Sequence, residues 1–130
     1  LSKMGPLSIP ALLGVINDKD REVRRLALLA LGNALLQSPP ARRDFAVVQA
    51  VSRALPRMMD RLLDESDEVR LQATFAIGAI GPAAKDAIPA LLKLVADDDP
   101  QVSFAAAQAI KTISEETYDL LIHSWETRKN

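Results

Sequence analysis

Arginines supply the densest chemistry in this 130-residue chain. Arg53, Arg57 and Arg61 recur every four residues, so an unbroken helix would carry all three on one face, and Arg42 and Arg43 precede them. A group of guanidiniums suits an acidic peptide, a phosphorylated partner or a nucleic-acid backbone, because the planar fork pairs with carboxylate and phosphate oxygens. Asp44 and Asp60 interrupt the group, and sixteen basic against seventeen acidic side chains leave a net charge of −1. That balance argues against a nucleic-acid grip. It leaves an ordinary solvated face, then an acidic protein partner, and last a nucleic-acid backbone as the readings of these five arginines.

Carboxylates gather at three places: Asp18 and Asp20; Asp64, Glu65, Asp67 and Glu68; and Asp97, Asp98 and Asp99. Calcium takes carboxylate oxygens, but these runs lack the ligand spacing and the glycine of a calcium loop. Their even placement is that of caps and favourable charges at helix N-termini. The chain has no cysteine and one histidine, His123, which removes disulfides, thiolate sites and His-rich zinc clusters. His123 stands in no nucleophile–base arrangement, and Gly32, Gly78 and Gly81 form no phosphate-cradling loop. No catalytic residue, metal ligand or cofactor is assigned on these grounds.

The elements that must position these side chains emerge from internal repetition. Ile9-Pro10-Ala11-Leu12-Leu13, Leu55-Pro56-Arg57-Met58-Met59 and Ile88-Pro89-Ala90-Leu91-Leu92 are each followed by an aspartate (Asp18, Asp64, Asp97) and then a valine (Val23, Val69, Val102) in one register. The offsets between blocks are 46 and 33 residues, so the extra length lies between the first two. Each block reads as two antiparallel helices. The first is short, about 8–18 in block one and 87–97 in block three, with proline harmless in its opening turn. The second starts after Asp20, Ser66 or Asp99, all good N-caps, and carries an apolar stripe at three- and four-residue steps. Val23, Ala27, Ala30, Leu31 and Ala34 make the stripe in block one; Val69, Ala73, Ala76, Ile77 and Ile80 in block two; Val102, Ala106, Ala109, Ile110 and Ile113 in block three. A pair this short cannot bury its stripe alone, so neighbouring pairs must stack.

Gln37-Ser38-Pro39-Pro40 should end the second helix of block one. Phe45, Val47, Val48, Val51 and Leu55 then predict a separate or kinked helix over about 43–53, ahead of the standard first helix of block two. Ser114 can cap a last helix bearing Tyr118, Leu121, Ile122 and Trp125, which either closes the stack or begins a truncated fourth block. At 48% hydrophobic and 25% charged, the chain is not disordered as a whole. No stretch reaches 18 apolar residues without charge and no secretory h-region is present, so the expectation is a cytoplasmic or other intracellular protein with no membrane role. The chain begins at Leu1 rather than methionine, as an excised or processed segment would.

The segments Asp20 to Leu31, Asp67 to Gly81 and Gly81 to Leu92 resemble HEAT repeats, most closely the short subtype of phycobilin-lyase-like proteins and many scaffolds. The resemblance implies an all-α fold, a right-handed α-α superhelix in which second helices line a concave surface that commonly binds protein. Residues 1–130 would form one such solenoid or a fragment of it, with repeats at about 7–36, 53–81 and 86–114, an insertion at 37–52 and a terminal helix at 115–128. Flanking repeats of a larger chain are expected neighbours. Two departures mark block three: Ser103 stands where Arg24 and Arg70 do, and Lys111 where Gly32 and Gly78 do.

Subtracting the stripe leaves variable positions on the second helices. Leu71, Phe75 and Phe104 either pack between repeats or form the apolar centre of a partner-binding surface, with Arg25, Leu29, Gln72, Gln108 and Lys111 around it. The expectation is a non-enzymatic scaffold that binds a protein or peptide. A bilin-lyase-related enzyme fragment is the alternative that the subtype suggests, and a nucleic-acid module the weaker one.

Overall fold

The structure, a computed structural model, describes residues 9–129. The expected starts of the first repeat at 7 and of its first helix at 8 lie outside the described residues. Among the described residues the chain is helix, turn and bend, without strands. Seven α-helices follow in order: α1 Ile9–Leu13, α2 Arg21–Leu36, α3 Phe45–Arg61, α4 Asp67–Ile80, α5 Ile88–Leu94, α6 Pro100–Ile113 and α7 Glu115–Lys129. Single 3-10 segments at Pro40–Arg42 and Gly81–Ala87 join α2 to α3 and α4 to α5.

The second helices start at the side chains that can satisfy first-turn amides. Asp20 accepts from the Glu22 amide at 2.9 Å, Ser66 from Val69 at 3.4 Å, and Asp99 from Gln101 at 2.8 Å. Asp44 does the same for α3 and Ser114 for α7. Gly81 ends α4 at φ +83°, a left-handed conformation that penalises any Cβ. The first helices are shorter than the expected 8–18 and 87–97. Asp18 and Asp97 each donate their amide only three residues back, to Val15 and Leu94, so the chain tightens out of α-helix before each acidic turn.

Helix α3 departs from the expected division. One helix runs through Phe45–Arg61 with Pro56 inside it, and no separate segment over 43–53 precedes a new first helix. The missing amide forfeits one backbone bond, to Ser52, and both residues are exposed, where water can serve the carbonyl. Val51, Ala54, Leu55, Met58 and Leu62 meanwhile keep one buried stripe in phase through the proline. Shared burial outweighs the local break.

Helices α2, α4 and α6 lie side by side, with α1, α3 and α5 packed against them in turn and α7 on α6. The core runs through all three hairpins: Leu28, Leu31, Met58, Leu62, Val69, Ile77, Leu91, Val102 and Ile110 are at most 1% exposed. Glycine sets the spacing between second helices. A Cβ at Gly32 would stand 2.8 Å from the Phe75 ring, and one at Gly78 only 3.1 Å from the Ala109 Cβ. Lys111 is tolerated at the corresponding site of α6, where its ammonium sits 5.5 Å from the Tyr118 ring centre. The stretch Asp67–Leu94 is long and apolar enough to cross a bilayer by composition, but it is two helices broken at Gly81–Ala87, with Ala73, Ile77, Ala84 and Leu91 in the hairpin core.

A polar ladder links the acidic turns. Arg24 grips Asp64 of the next hairpin through Nε at 2.9 Å and Nη2 at 3.2 Å, while its Nη1 donates to the Asp18 and Lys19 carbonyls of its own turn. Arg70 repeats this with Asp97, at 3.0 and 3.3 Å, and with the Asp64 carbonyl. Arg61 adds a second guanidinium to Asp64 at 2.8 Å. Burial alone would raise the Asp64 carboxyl, but the Ser66 amide and the Arg24 and Arg61 guanidiniums hold it below the ordinary aspartate value.

Because the folded value is the lower one, this stability is present at neutral pH and lost on acidification. The loss should begin near the unfolded aspartate value of about 3.9 and finish below the folded one. Asp64→Asn should cost about 3 kcal/mol at pH 7, by leaving two guanidiniums short of their partner, and should flatten the acid limb. Urea unfolding between pH 3 and 7 checks both, and an unchanged acid limb would rule out Asp64 as its source.

Candidate functional site

The row of second helices carries an apolar cleft of about 330 Å³ between α4 and α6. Phe75 and Phe104 stand on either side, 40% and 68% exposed, and Leu36 reaches in from the end of α2 at 57%. Gly78, Ala79, Ala105 and Ala109 form its floor and walls, so the space between the two rings is empty because the neighbouring side chains are small. The polar atoms around it are mostly committed. Thr74 donates to the Arg70 carbonyl at 2.8 Å, and the Thr112 hydroxyl bonds the Gly78 and Ala109 carbonyls at 3.1 and 2.9 Å. Gln108 is the exposed amide on the rim.

Three of the eight residues predicted for the partner surface therefore meet at one place: Phe75, Phe104 and Gln108. Four of the other five sit elsewhere, and Lys111 borders an adjoining, more open cleft with Gln108 and Thr112. Leu71 is half-buried and packs against the core, and Leu29 and Gln72 are half-buried on their own helices. Arg25 is held by Glu22 in a two-pronged pair at 2.8 and 2.9 Å. Lys111 lies over Tyr118. Leu36, Thr74, Gly78, Ala105 and Ala109 were not singled out by sequence as site residues, whereas Ala79 and Thr112 stand at variable positions of the second helices. The available signal was the coincidence of small residues on facing turns of α4 and α6 with two phenylalanines outside the repeated stripe.

The arginine group separates into two kinds. Arg43 donates from Nε to the Ser38 carbonyl at 2.7 Å, from Nη1 to Ile80 at 2.7 Å, and from Nη2 to Leu35 and Ala79 at 2.9 and 2.8 Å. It closes the carbonyl ends of α2 and α4 together, a task a C-terminal glycine does elsewhere. Burial pulls its pKa below the usual guanidinium value. Arg61 is engaged with Asp64. Arg42, Arg53 and Arg57 are exposed and form no ion pair among the described residues, and the last two share the continuous α3.

A second cleft, of about 530 Å³, lies between the end of α3 and α5. Asp60, Asp86 and Lys93 line it, with Leu63 81% exposed at its edge. Asp20 and Asp99 cap helices, Asp18, Asp64 and Asp97 accept amides within their turns, and no group of three or more His, Asp and Glu among the described residues could hold a metal ion.

Comparison with known proteins finds similarity to a family, to a curated protein and to a solved structure. The family model for HEAT repeats matches residues 55–130. Serine/threonine-protein kinase 36 of Mus musculus is 36% identical over 124 residues, which is 89% of this chain and 9% of that protein. The crystal structure of an engineered protein superposes with a TM-score of 0.69 at 25% identity, over 81% of this chain and 44% of the other. The chain thus spans less than a tenth of the kinase it matches, and the kinase activity in that name belongs to that protein.

Replacing Arg43 by methionine should cost about 2 kcal/mol, because four partly buried carbonyls lose a charged donor. Arg53→Met should stay within about 0.5 kcal/mol, as an exposed and unpaired side chain does. Urea midpoints of the two variants distinguish the structural arginine from the free one; equal midpoints would overturn the division.

Proposed function

The chain belongs to the HEAT-repeat family, and on that premise we propose that it is a non-enzymatic protein-binding module whose α4–α6 cleft receives an apolar side chain from a partner protein. The second helices would form the concave face, and binding would be geometric, with no covalent step. One observation carries the reading: Phe75 and Phe104 are left exposed around a space walled by glycine and alanine. Covering two rings and filling that space removes apolar surface from water at one compact spot, the arrangement that concentrates affinity in protein interfaces. Gln108 on the rim offers both a donor and an acceptor to the partner's backbone.

The polar groups at the cleft also favour a scaffold over a bilin-lyase-related enzyme fragment. Two hydroxyls bonded to backbone and one neutral amide supply neither an acid nor a base for pigment transfer. Arg42, Arg53 and Arg57 give a second reading, an acidic partner segment, because their charges are exposed and form no ion pair among the described residues. It draws on long-range attraction and would weaken with salt. The nucleic-acid reading has the same three charges to draw on and a net charge of −1 against it.

Phe104→Ser should leave helicity and melting unchanged and reduce capture of the partner by about tenfold or more, because exposed rings contribute little to folding and much to an interface. The paired variant Arg53→Glu/Arg57→Glu should retain capture at moderate salt. Quantitative pull-down with both proteins and the native chain checks this, and capture indifferent to Phe104 but lost with the arginines would move the site to α3.

A further inference from the structure

The ladder has one vacant rung. Asp64 and Asp97 each accept the amide two residues on, at 3.0 and 2.9 Å, and each is then gripped by an arginine from the preceding second helix. Asp18 holds the Asp20 amide in the same way at 2.9 Å, yet no guanidinium reaches it among the described residues. A second observation points to the same place. Val69 and Val102 are 0% exposed, and Ala76 and Ala109 at most 5%, because each helix is covered by its predecessor. Their counterparts on α2, Val23 and Ala30, remain half-exposed. Leu26, 49% exposed, stands where α4 has Gln72 and α6 has Ala105.

We propose that this face of α2, together with Asp18, docks a further helical hairpin whose second helix presents an arginine in the register of Arg24 and Arg70. The chemistry selects arginine over lysine. Arg24 and Arg70 each span both carboxylate oxygens through Nε and Nη2 while Nη1 holds a carbonyl of the arginine's own turn, a geometry that one ammonium cannot reproduce. The chain's own far end cannot be this partner. Ser103 occupies the arginine's position in block three and donates to the Val95 carbonyl of its own hairpin. Lys111 replaces the glycine that permits close approach, and α7 covers α6. The ladder therefore accepts at Asp18 and stops at Ser103, so it excludes head-to-tail stacking of identical copies. The proposal does not depend on the cleft between α4 and α6.

The test supplies the missing rung from the chain itself. Residues 53–85, one repeat with Arg70 in it, are placed directly ahead of Leu7, which sets the copied Asp64 33 positions before Asp18, the spacing from Asp64 to Asp97. The extended chain should melt about 5 °C or more above the native one. Asp18→Asn keeps the acceptor for the Asp20 amide. It should lower the extended chain's Tm by several degrees and the native chain's by about 1 °C or less. With Arg70→Gln in the added copy, that difference should vanish, since the pair would already be broken. An extended chain that melts no higher or does not fold cooperatively, or an Asp18→Asn shift equal in both chains, would overturn the proposal. Sedimentation of the native chain gives a separate check: it should remain monomeric, and a dimer dissolved by Asp18→Asn would show a second copy to be the occupant instead.

Discussion

Each hairpin in this chain is too short to bury its own apolar stripe, and the structure follows from the need to share that stripe with a neighbour. The seam from Leu28 through Val69 and Ile77 to Val102 and Ile110 is continuous because every second helix serves two hairpins at once. Burial of this kind is non-directional and would tolerate a slipped register. The Arg24–Asp64 and Arg70–Asp97 pairs supply the direction. Each joins an acidic turn to the next at one height, and the same carboxylates organise the turns through the amides of Ser66 and Asp99. Small residues then set the distance, since a Cβ at Gly32 would run into the Phe75 ring and one at Gly78 would crowd Ala109.

The close approach of α4 and α6 also accounts for the cleft. Glycine and alanine bring two helices together at Gly78 and Ala109, and the same short side chains line the cleft between Phe75 and Phe104. Phe75 and Phe104 border that space without closing it. Structural economy and a candidate binding surface thus come from one choice of side chains, and the cleft is apolar inside, with the Thr74 and Thr112 hydroxyls already bonded to backbone and Gln108 the exposed polar group beside it.

The inserted stretch shows where local rules yield to packing. Pro56 occupies the position that Pro10 and Pro89 hold near helix starts, and spacing alone suggested a break or kink ahead of it. In the fold the buried stripe from Val51 to Leu62 continues through the proline, because the lost hydrogen bond faces water and the stripe faces the core. Arg43 is a comparable case. In sequence it is one of five basic residues; in space it lies at the meeting of two helix ends that are 44 residues apart in the chain, Leu36 and Ile80, and its donors are taken up there.

The amino-acid order by itself determined the repeat register, the second helices and their caps at Asp20, Ser66, Asp99 and Ser114, and the stripe that must be buried. These depend on contacts within a few residues or on a period of three to four, which a linear reading captures. Tertiary structure decided which arginines are free, which aspartate each ladder arginine meets, and which variable residues share a surface. Arg25 and Phe104 hold aligned positions on their helices, yet one is tied to Glu22 and the other stands open at a cleft. The difference arises from what the adjacent hairpin places opposite, and that is a property of neighbours distant along the chain.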